Sequence, residues 1–326
     1  RILHVKKRLG ILEVNTPEKL CKEIIGCTAH QNDNYKATTK SMVLLKNDEI
    51  LPLNGNIKRI AVIGPNADDV WAQYGDWTHF SHPGVKPNDT PKDGVYTMLR
   101  GIREVFADAE VVYAKGCSVR GEEATEESNA LFQQALDAAQ NADVVILCIG
   151  DDWWQTGEYR DRCDLNLSSR QVELAKAIAN VNPDMVTVLV NGKPLVVEPV
   201  AEVSKAVIET FNSGDMGGLA LASLLAGKEN FSGKLPISFP TLSGAGPFYY
   251  NQFDYWHGGK YIEGDAKSKY PFGYGLSYSN MVLSAPVLDA CNDGKLSLKV
   301  TVKNCSDTDG WEVVQLYFKD EVCRIL

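Results

Sequence analysis

Asp143-Val144-Val145-Ile146-Leu147-Cys148-Ile149-Gly150 decides how this chain folds. After the leading aspartate no polar side chain occurs until a glycine stops the run, so an extended segment here is apolar on both faces. A strand with one wet face would alternate; one apolar throughout belongs in a sheet covered on both sides, the habit of parallel α/β sheets. Runs of related character recur at 59–64, 110–114, 184–190 and 206–210. Helix-period stretches at 126–140, 169–179 and 217–225 alternate with them. That rhythm predicts an α/β fold, a three-layer sandwich with a mostly parallel sheet flanked by helices.

The flanks read differently. Residues 1–12 are basic, with apolar positions at Ile2, Leu3, Val5, Leu9 and Leu12, which predicts the last turns of an amphipathic helix ending at Gly10. Residues 13–34 read as a linker, and a short helical pattern from Tyr35 leads into Met42-Val43-Leu44-Leu45. Beyond Gly227 the chain is rich in Gly, Pro and Tyr to residue 280, then turns all-β: 295–302 alternates, a turn follows at 305–310, and 312–318 alternates again. About three strands are expected there, where an immunoglobulin-like sandwich needs about seven, so the C-terminal unit is expected to be a truncated antiparallel β-sandwich. The chain starts at Arg1 with no Met and stops soon after a strand-like run, as a fragment would.

Charge and composition remove several function classes. Lys and Arg number 33 against 42 Asp and Glu, a net charge of -9, whereas nucleic acid or an anionic membrane asks for a basic surface. No apolar run approaches the ~20 residues a bilayer span needs. The eight cysteines include no C-x-x-C pair, and the five histidines (4, 30, 79, 82 and 257) show no ligand spacing, so neither metal nor cofactor is expected. Gly64-Pro65-Asn66-Ala67 follows the first strand where a dinucleotide fold would carry G-x-G-x-x-G, and the proline removes an N–H that could hold phosphate. G-x-x-x-x-G-K-[ST], H-E-x-x-H and G-x-S-x-G are also missing.

Open parallel sheets bind ligands beyond the carboxyl ends of their strands, which directs attention to the loop after 143–150. It reads Gly150-Asp151-Asp152-Trp153-Trp154-Gln155-Thr156-Gly157-Glu158-Tyr159-Arg160-Asp161-Arg162. Paired tryptophans beside carboxylates suit a sugar: indole faces pack on pyranose C–H groups, and acids bind hydroxyls or move protons. A carboxyl buried beside an aromatic also holds its proton toward neutral pH. The same residues equally describe a surface loop whose tryptophans cap the core and whose Asp161 and Arg162 form an ion-pair network. Tyr74-Gly75-Asp76-Trp77-Thr78-His79-Phe80, Phe248-Tyr249-Tyr250-Asn251 and Tyr255-Trp256-His257 are further aromatic loops, for which core or interdomain packing is the competing role.

Several blocks together resemble glycoside hydrolase family 3. Ser41-Met42-Val43-Leu44-Leu45-Lys46-Asn47 with Leu51-Pro52-Leu53, then Ile60-Ala61-Val62-Ile63-Gly64-Pro65-Asn66-Ala67, is similar to the opening of that family's second domain. Gly157-Glu158-x-x-Asp161-Arg162 with Leu165-x-Leu167 and Gln171 resembles its acid/base loop. Phe231-Ser232-Gly233-Lys234-Leu235-Pro236 and Tyr270-Pro271-Phe272-Gly273-Tyr274-Gly275 resemble two later blocks, and Asp309-Gly310-x-Glu312-Val313-Val314-Gln315-Leu316-Tyr317 resembles the fibronectin type III-like domain of many members.

The resemblance implies a retaining exo-β-glycosidase, a β-glucosidase first and a β-xylosidase next, acting on β-linked oligosaccharides or aryl and alkyl glycosides. It implies that residues 1–40 are the tail of a TIM barrel and a linker, 41–280 the α/β sandwich, and 281–326 part of a fibronectin type III-like domain. Glu158 matches the acid/base residue, while the nucleophilic Asp would lie in the barrel, outside these residues, leaving the isolated chain inactive. Trp77 and Trp153 are the expected leaving-group platform, and Asp161 and Arg162 are expected to brace the loop. A noncatalytic carbohydrate-binding or interaction module is the competing function. Secreted, periplasmic and cytoplasmic locations are all compatible with these residues.

Overall fold

The five apolar runs do become strands. A computed structural model describes residues 1–12, 24–53, 55–78, 94–121, 124–245, 249–251, 261–264, 267–290 and 296–318. Its central sheet holds β1 (Val43–Asn47), β2 (Arg59–Ile63), β3 (Glu110–Ala114), β4 (Val144–Gly150), β5 (Met185–Val190) and β6 (Ala206–Glu209). Their order is β1-β6-β5-β4-β2-β3. All neighbours are parallel except the β1–β6 pair, in which Val43 faces Glu209 and Leu44 faces Ile208. β1 has no distinct signature in the sequence: Met42-Val43-Leu44-Leu45 is too short to separate a buried strand from the end of a helix by periodicity.

Alternation along each strand selects the layer its side chains join. Ala61, Ile63, Val145, Leu147, Ile149 and Leu189 pack with α5 (Glu126–Gln140), α6 (Gln171–Val181) and α7 (Glu198–Ala201) through Ala135, Leu174, Ile178 and Val200. Ile60, Val62, Ile146, Cys148, Val188 and Ile208 face the opposite layer, with α3 (Val70–Tyr74), α4 (Met98–Val105) and α8 (Gly217–Leu225) supplying Ala72, Met98, Ile102, Leu221 and Leu224. α4 and α8 approach backbone to backbone, because a Cβ on Gly218 would lie 1.8 Å from the Thr97 carbonyl oxygen. Thr125 begins α5 with a reciprocal cap: its hydroxyl accepts the Ser128 N–H while the Ser128 hydroxyl accepts its own.

Before the sheet come α1 (Ile2–Arg8) and α2 (Thr28–Ser41). α2 starts seven residues ahead of the helical pattern read from Tyr35, so the polar stretch 28–34 is helix, not linker. After α8, β7 (Phe239–Pro240) pairs with β8 (Ser268–Tyr270). Two small antiparallel sheets follow, β10 (Val287–Ala290) with β11 (Leu296–Lys299), and β12 (Val302–Asn304) with β9 (Met281–Leu283). The expected single strand over 295–302 is therefore split between two partners, and 312–318 forms no regular strand. Exposed Val313, Val314, Leu316 and Phe318 show that the alternating pattern has no sheet to bury it among the described residues.

Candidate active site

The sheet reverses direction of growth between β2 and β4: β3 lies outside β2, and the chain then crosses back to build β4, β5 and β6 on the other side. At such a switch point the loops leaving two adjacent strands diverge and open a crevice at their carboxyl ends. Here the loops are those after Gly64 and after Gly150. Both glycines take positive φ, 118° and 151°, and a Cβ on either would lie 2.0 and 2.1 Å from the carbonyl oxygens of Cys148 and Val190. No side chain fits there. Buried Asn66 then joins the two loops, its amide donating to the Asp151 carbonyl at 2.8 Å.

Asp151 anchors the base of the second loop. It is 2% exposed, with Oδ1 2.6 Å from Arg162 Nη1 and Oδ2 3.7 Å from Lys193 Nζ. Arg162 also donates to the Asn166 carbonyl at 2.7 Å, and Lys193 to the carbonyl of Gln155, so both cations fasten the returning chain. Burial raises the Asp151 carboxyl above its ordinary range, opposed by Lys193 and Arg162. Burial likewise lowers Lys193, against the attraction of Asp151 and with added repulsion from Arg162. Asp161 is exposed and acts on this group at a distance, its charge raising Lys193.

A second cluster holds the crest. Trp153 sits between Trp71 and Trp154, with ring centroids 5.7 and 4.4 Å away. The Arg160 guanidinium lies 4.7 Å from both the Trp153 and Trp154 centroids and donates to the Trp153 carbonyl. Its charge is met by Asp76, from the loop after β2, at 2.6 Å. The other oxygen of Asp76 accepts the Glu158 N–H at 3.2 Å. Glu158 itself is exposed, and among the described residues its carboxylate has no hydrogen-bond or ion-pair partner.

Of the expected site residues, Trp77 is 70% exposed, whereas Trp153 is half-buried inside the indole stack and the open ring of the pair is Trp154, 51% exposed. Glu158 and Trp77 follow the two ends of one clamp, since Asp76 precedes Trp77 and binds Glu158. Pro65, Asp69, Lys115, Ser118, Arg120 and Asp152 line a cavity of about 400 Å³ at the carboxyl ends of β2, β3 and β4 that includes neither Glu158 nor Trp77. Arg120 pairs with Asp152 and approaches Trp154 to 6.0 Å. Nothing in the local sequence marks Asp76, Arg160, Asp151 and Lys193 as partners; each follows the carboxyl end of a parallel strand, Asp76 by 13 residues and the others by ten or fewer, the one available signal. Phe248, Tyr255, Trp256 and His257 lie outside the described residues.

Among the described residues no group of three His, Cys, Asp or Glu could hold a metal, and no helix is long and apolar enough to cross a membrane. The chain is similar to several known glycosidases. A β-xylosidase of Formosa agariphila is 33% identical over all of this chain, which spans 45% of it. A periplasmic β-glucosidase of Salmonella typhimurium is 33% identical over 89% of the chain, which spans 41% of that relative. The structure of a β-glucosidase involved in saponin metabolism, from intestinal bacteria, superposes with a TM-score of 0.82 at 32% identity, covering 93% of this chain and 46% of that one. The chain thus spans less than half the length of these relatives. Residues 42–278, which carry the whole sheet, its two helical layers and the switch-point loops, match the glycosyl hydrolase family 3 C-terminal domain, and the chain belongs to that family.

Proposed function

We propose that this chain supplies the general acid/base, Glu158, to a retaining exo-β-glycosidase that releases terminal β-linked glucose, with xylose the next candidate. The observation that carries the reading is the state of Glu158: its backbone is fixed by Asp76 while its carboxylate is exposed and unpartnered among the described residues. A carboxyl whose main chain is held and whose oxygens are open to an incoming substrate has the access that general acid–base transfer needs.

Retaining hydrolysis needs a second carboxyl about 5–5.5 Å away to attack the anomeric carbon. On this proposal that nucleophile is an Asp of a TIM barrel outside these 326 residues, in keeping with a chain that spans 41–46% of the relatives compared. In the first step the nucleophile bonds to C1 as the C1–O bond breaks, and Glu158 gives its proton to the departing oxygen. In the second, Glu158 takes a proton from water, the water oxygen bonds to C1, and the nucleophile leaves as carboxylate.

Exposed Trp77 and the Trp153–Trp154 pair would form the leaving-group platform, and Arg162, through buried Asp151, would brace the loop with Asp161 beside it. The test is the leaving-group dependence of Glu158→Ala in the full-length protein. Phenyl β-glucoside, whose leaving group needs a proton, should slow by about 10²–10⁴-fold, and 2,4-dinitrophenyl β-glucoside far less in the glycosylation step. Equal slowing of both substrates would remove Glu158 from the acid role. Undiminished turnover of both would leave a noncatalytic carbohydrate-binding module as the reading.

A further inference from the structure

Glu158 is the crest of its loop, yet the group that sets its position comes from the other side of the crevice. Asp76 follows α3, on the chain leaving β2, and meets three successive features of the loop after β4. Its Oδ1 is 2.6 Å from Arg160, and its Oδ2 accepts the Glu158 N–H at 3.2 Å. The same Oδ2 occupies the space a Cβ on Gly157 would fill, 2.0 Å away, at a backbone φ of 141°. Both charged side chains of the pair are largely buried, 12% exposed for Asp76 and 16% for Arg160, and the guanidinium is stacked on two indoles. A surface ion pair would be worth little, but a pair this enclosed has its geometry over-determined by packing. The other cations around the loop are already engaged, Arg162 and Lys193 with Asp151 and Arg120 with Asp152.

We propose that Asp76 is a positioning residue for the acid/base step: by gripping Arg160 and the Glu158 N–H at once, it holds the Glu158 carboxyl at one place above the crevice and keeps the Arg160 charge on itself. The proposal rests on Glu158 being the acid. Its chemical consequence is selective. Displacing a proton donor by about 1 Å costs about 10²-fold where its proton is needed, and costs little where the leaving group departs unaided.

The experiment compares Asp76→Ala, Glu158→Ala and the double variant in the full-length enzyme, on phenyl and 2,4-dinitrophenyl β-glucosides. Asp76→Ala is expected to lower kcat on the phenyl glycoside about 10–100-fold with KM nearly unmoved, to change the dinitrophenyl glycoside less than about 3-fold, and to add nothing in the Glu158→Ala background. Equal losses on both substrates, or losses that multiply with Glu158→Ala, would overturn it. If Glu158→Ala itself shows no leaving-group dependence, both readings fall; if it does and Asp76→Ala does not, only this one falls. Should the alanine variant not fold, Asp76→Asn carries the same comparison, because it keeps the side-chain shape and an acceptor while losing the charge that holds Arg160.

Discussion

Glu209 offers a stability test that is independent of catalysis. It ends β6, is fully buried, and accepts the Phe211 N–H at 2.6 Å and the Asn191 amide at 3.2 Å. Burial is the largest influence and raises its carboxyl to about 8, with the bonds from Phe211 and Asn191 opposing and the charge of Asp151 adding. Because the folded value lies above the ordinary 4.5, the native state binds a proton that the unfolded chain releases. Stability from this group is complete below pH 4.5 and falls as pH rises toward about 8, where the native carboxyl also ionises. Each pH unit costs about 1.4 kcal/mol, so the interval costs up to about 5 kcal/mol. Glu209→Gln cannot ionise and keeps an acceptor for Phe211. After rotation of the Asn191 amide it can also donate to Asn191 Oδ1, which is buried without a partner. Urea unfolding followed by circular dichroism between pH 4.5 and 9 should show the variant gaining on the wild type with rising pH, then a constant difference above pH 8. A difference that stays constant from pH 4.5 upward would refute the buried-acid reasoning.

Two further outcomes test the packing. Gly218→Ala would drive a Cβ against the Thr97 carbonyl and should cost about 1–3 kcal/mol in urea midpoint experiments. Gly244→Ala, with nothing within 4 Å of the new Cβ, should cost under about 0.5 kcal/mol, and equal effects would contradict the close α4–α8 contact. Exposed Cys163 and Cys305 should react with a thiol reagent in the native protein, while buried Cys117 and Cys148 should react only on unfolding, the Cys148 thiol also being pushed up by burial. Peptide mapping by mass spectrometry distinguishes the sites, and native labelling of Cys148 would contradict its place in the sheet.

The sheet was legible because β4 and β5 are buried along their whole length, with β2 and β6 nearly as apolar, and the partly exposed edge strand β3 keeps enough of the same pattern. Helices α5 and α8 were legible at both ends from the helix-period stretches over 126–140 and 217–225, and in the structure the Thr125 cap fixes the start of the first. β1 was not, since five residues at the sheet edge share their pattern with a helix end. The alternation over 312–318 reads as a strand, but a strand exists only where a neighbour takes its hydrogen bonds, and none does so among the described residues. At the site, the sequence locates the loop and Glu158, the proposed acid. It does not reveal that Trp71 would stack on Trp153, or that Asp76 would cross the crevice to reach Glu158, because both contacts join segments about 80 residues apart. Pairings of that kind follow from strand order, which local pattern leaves undetermined.

The most direct measurement is the product formed by full-length Glu158→Ala on an activated β-glucoside in the presence of sodium azide. With the general base removed, a small anion that needs no deprotonation should restore turnover and leave a β-glucosyl azide, identified by proton NMR of the anomeric signal. No rescue, or an α-glucosyl azide, would contradict the assignment of Glu158 as the acid/base of a retaining enzyme.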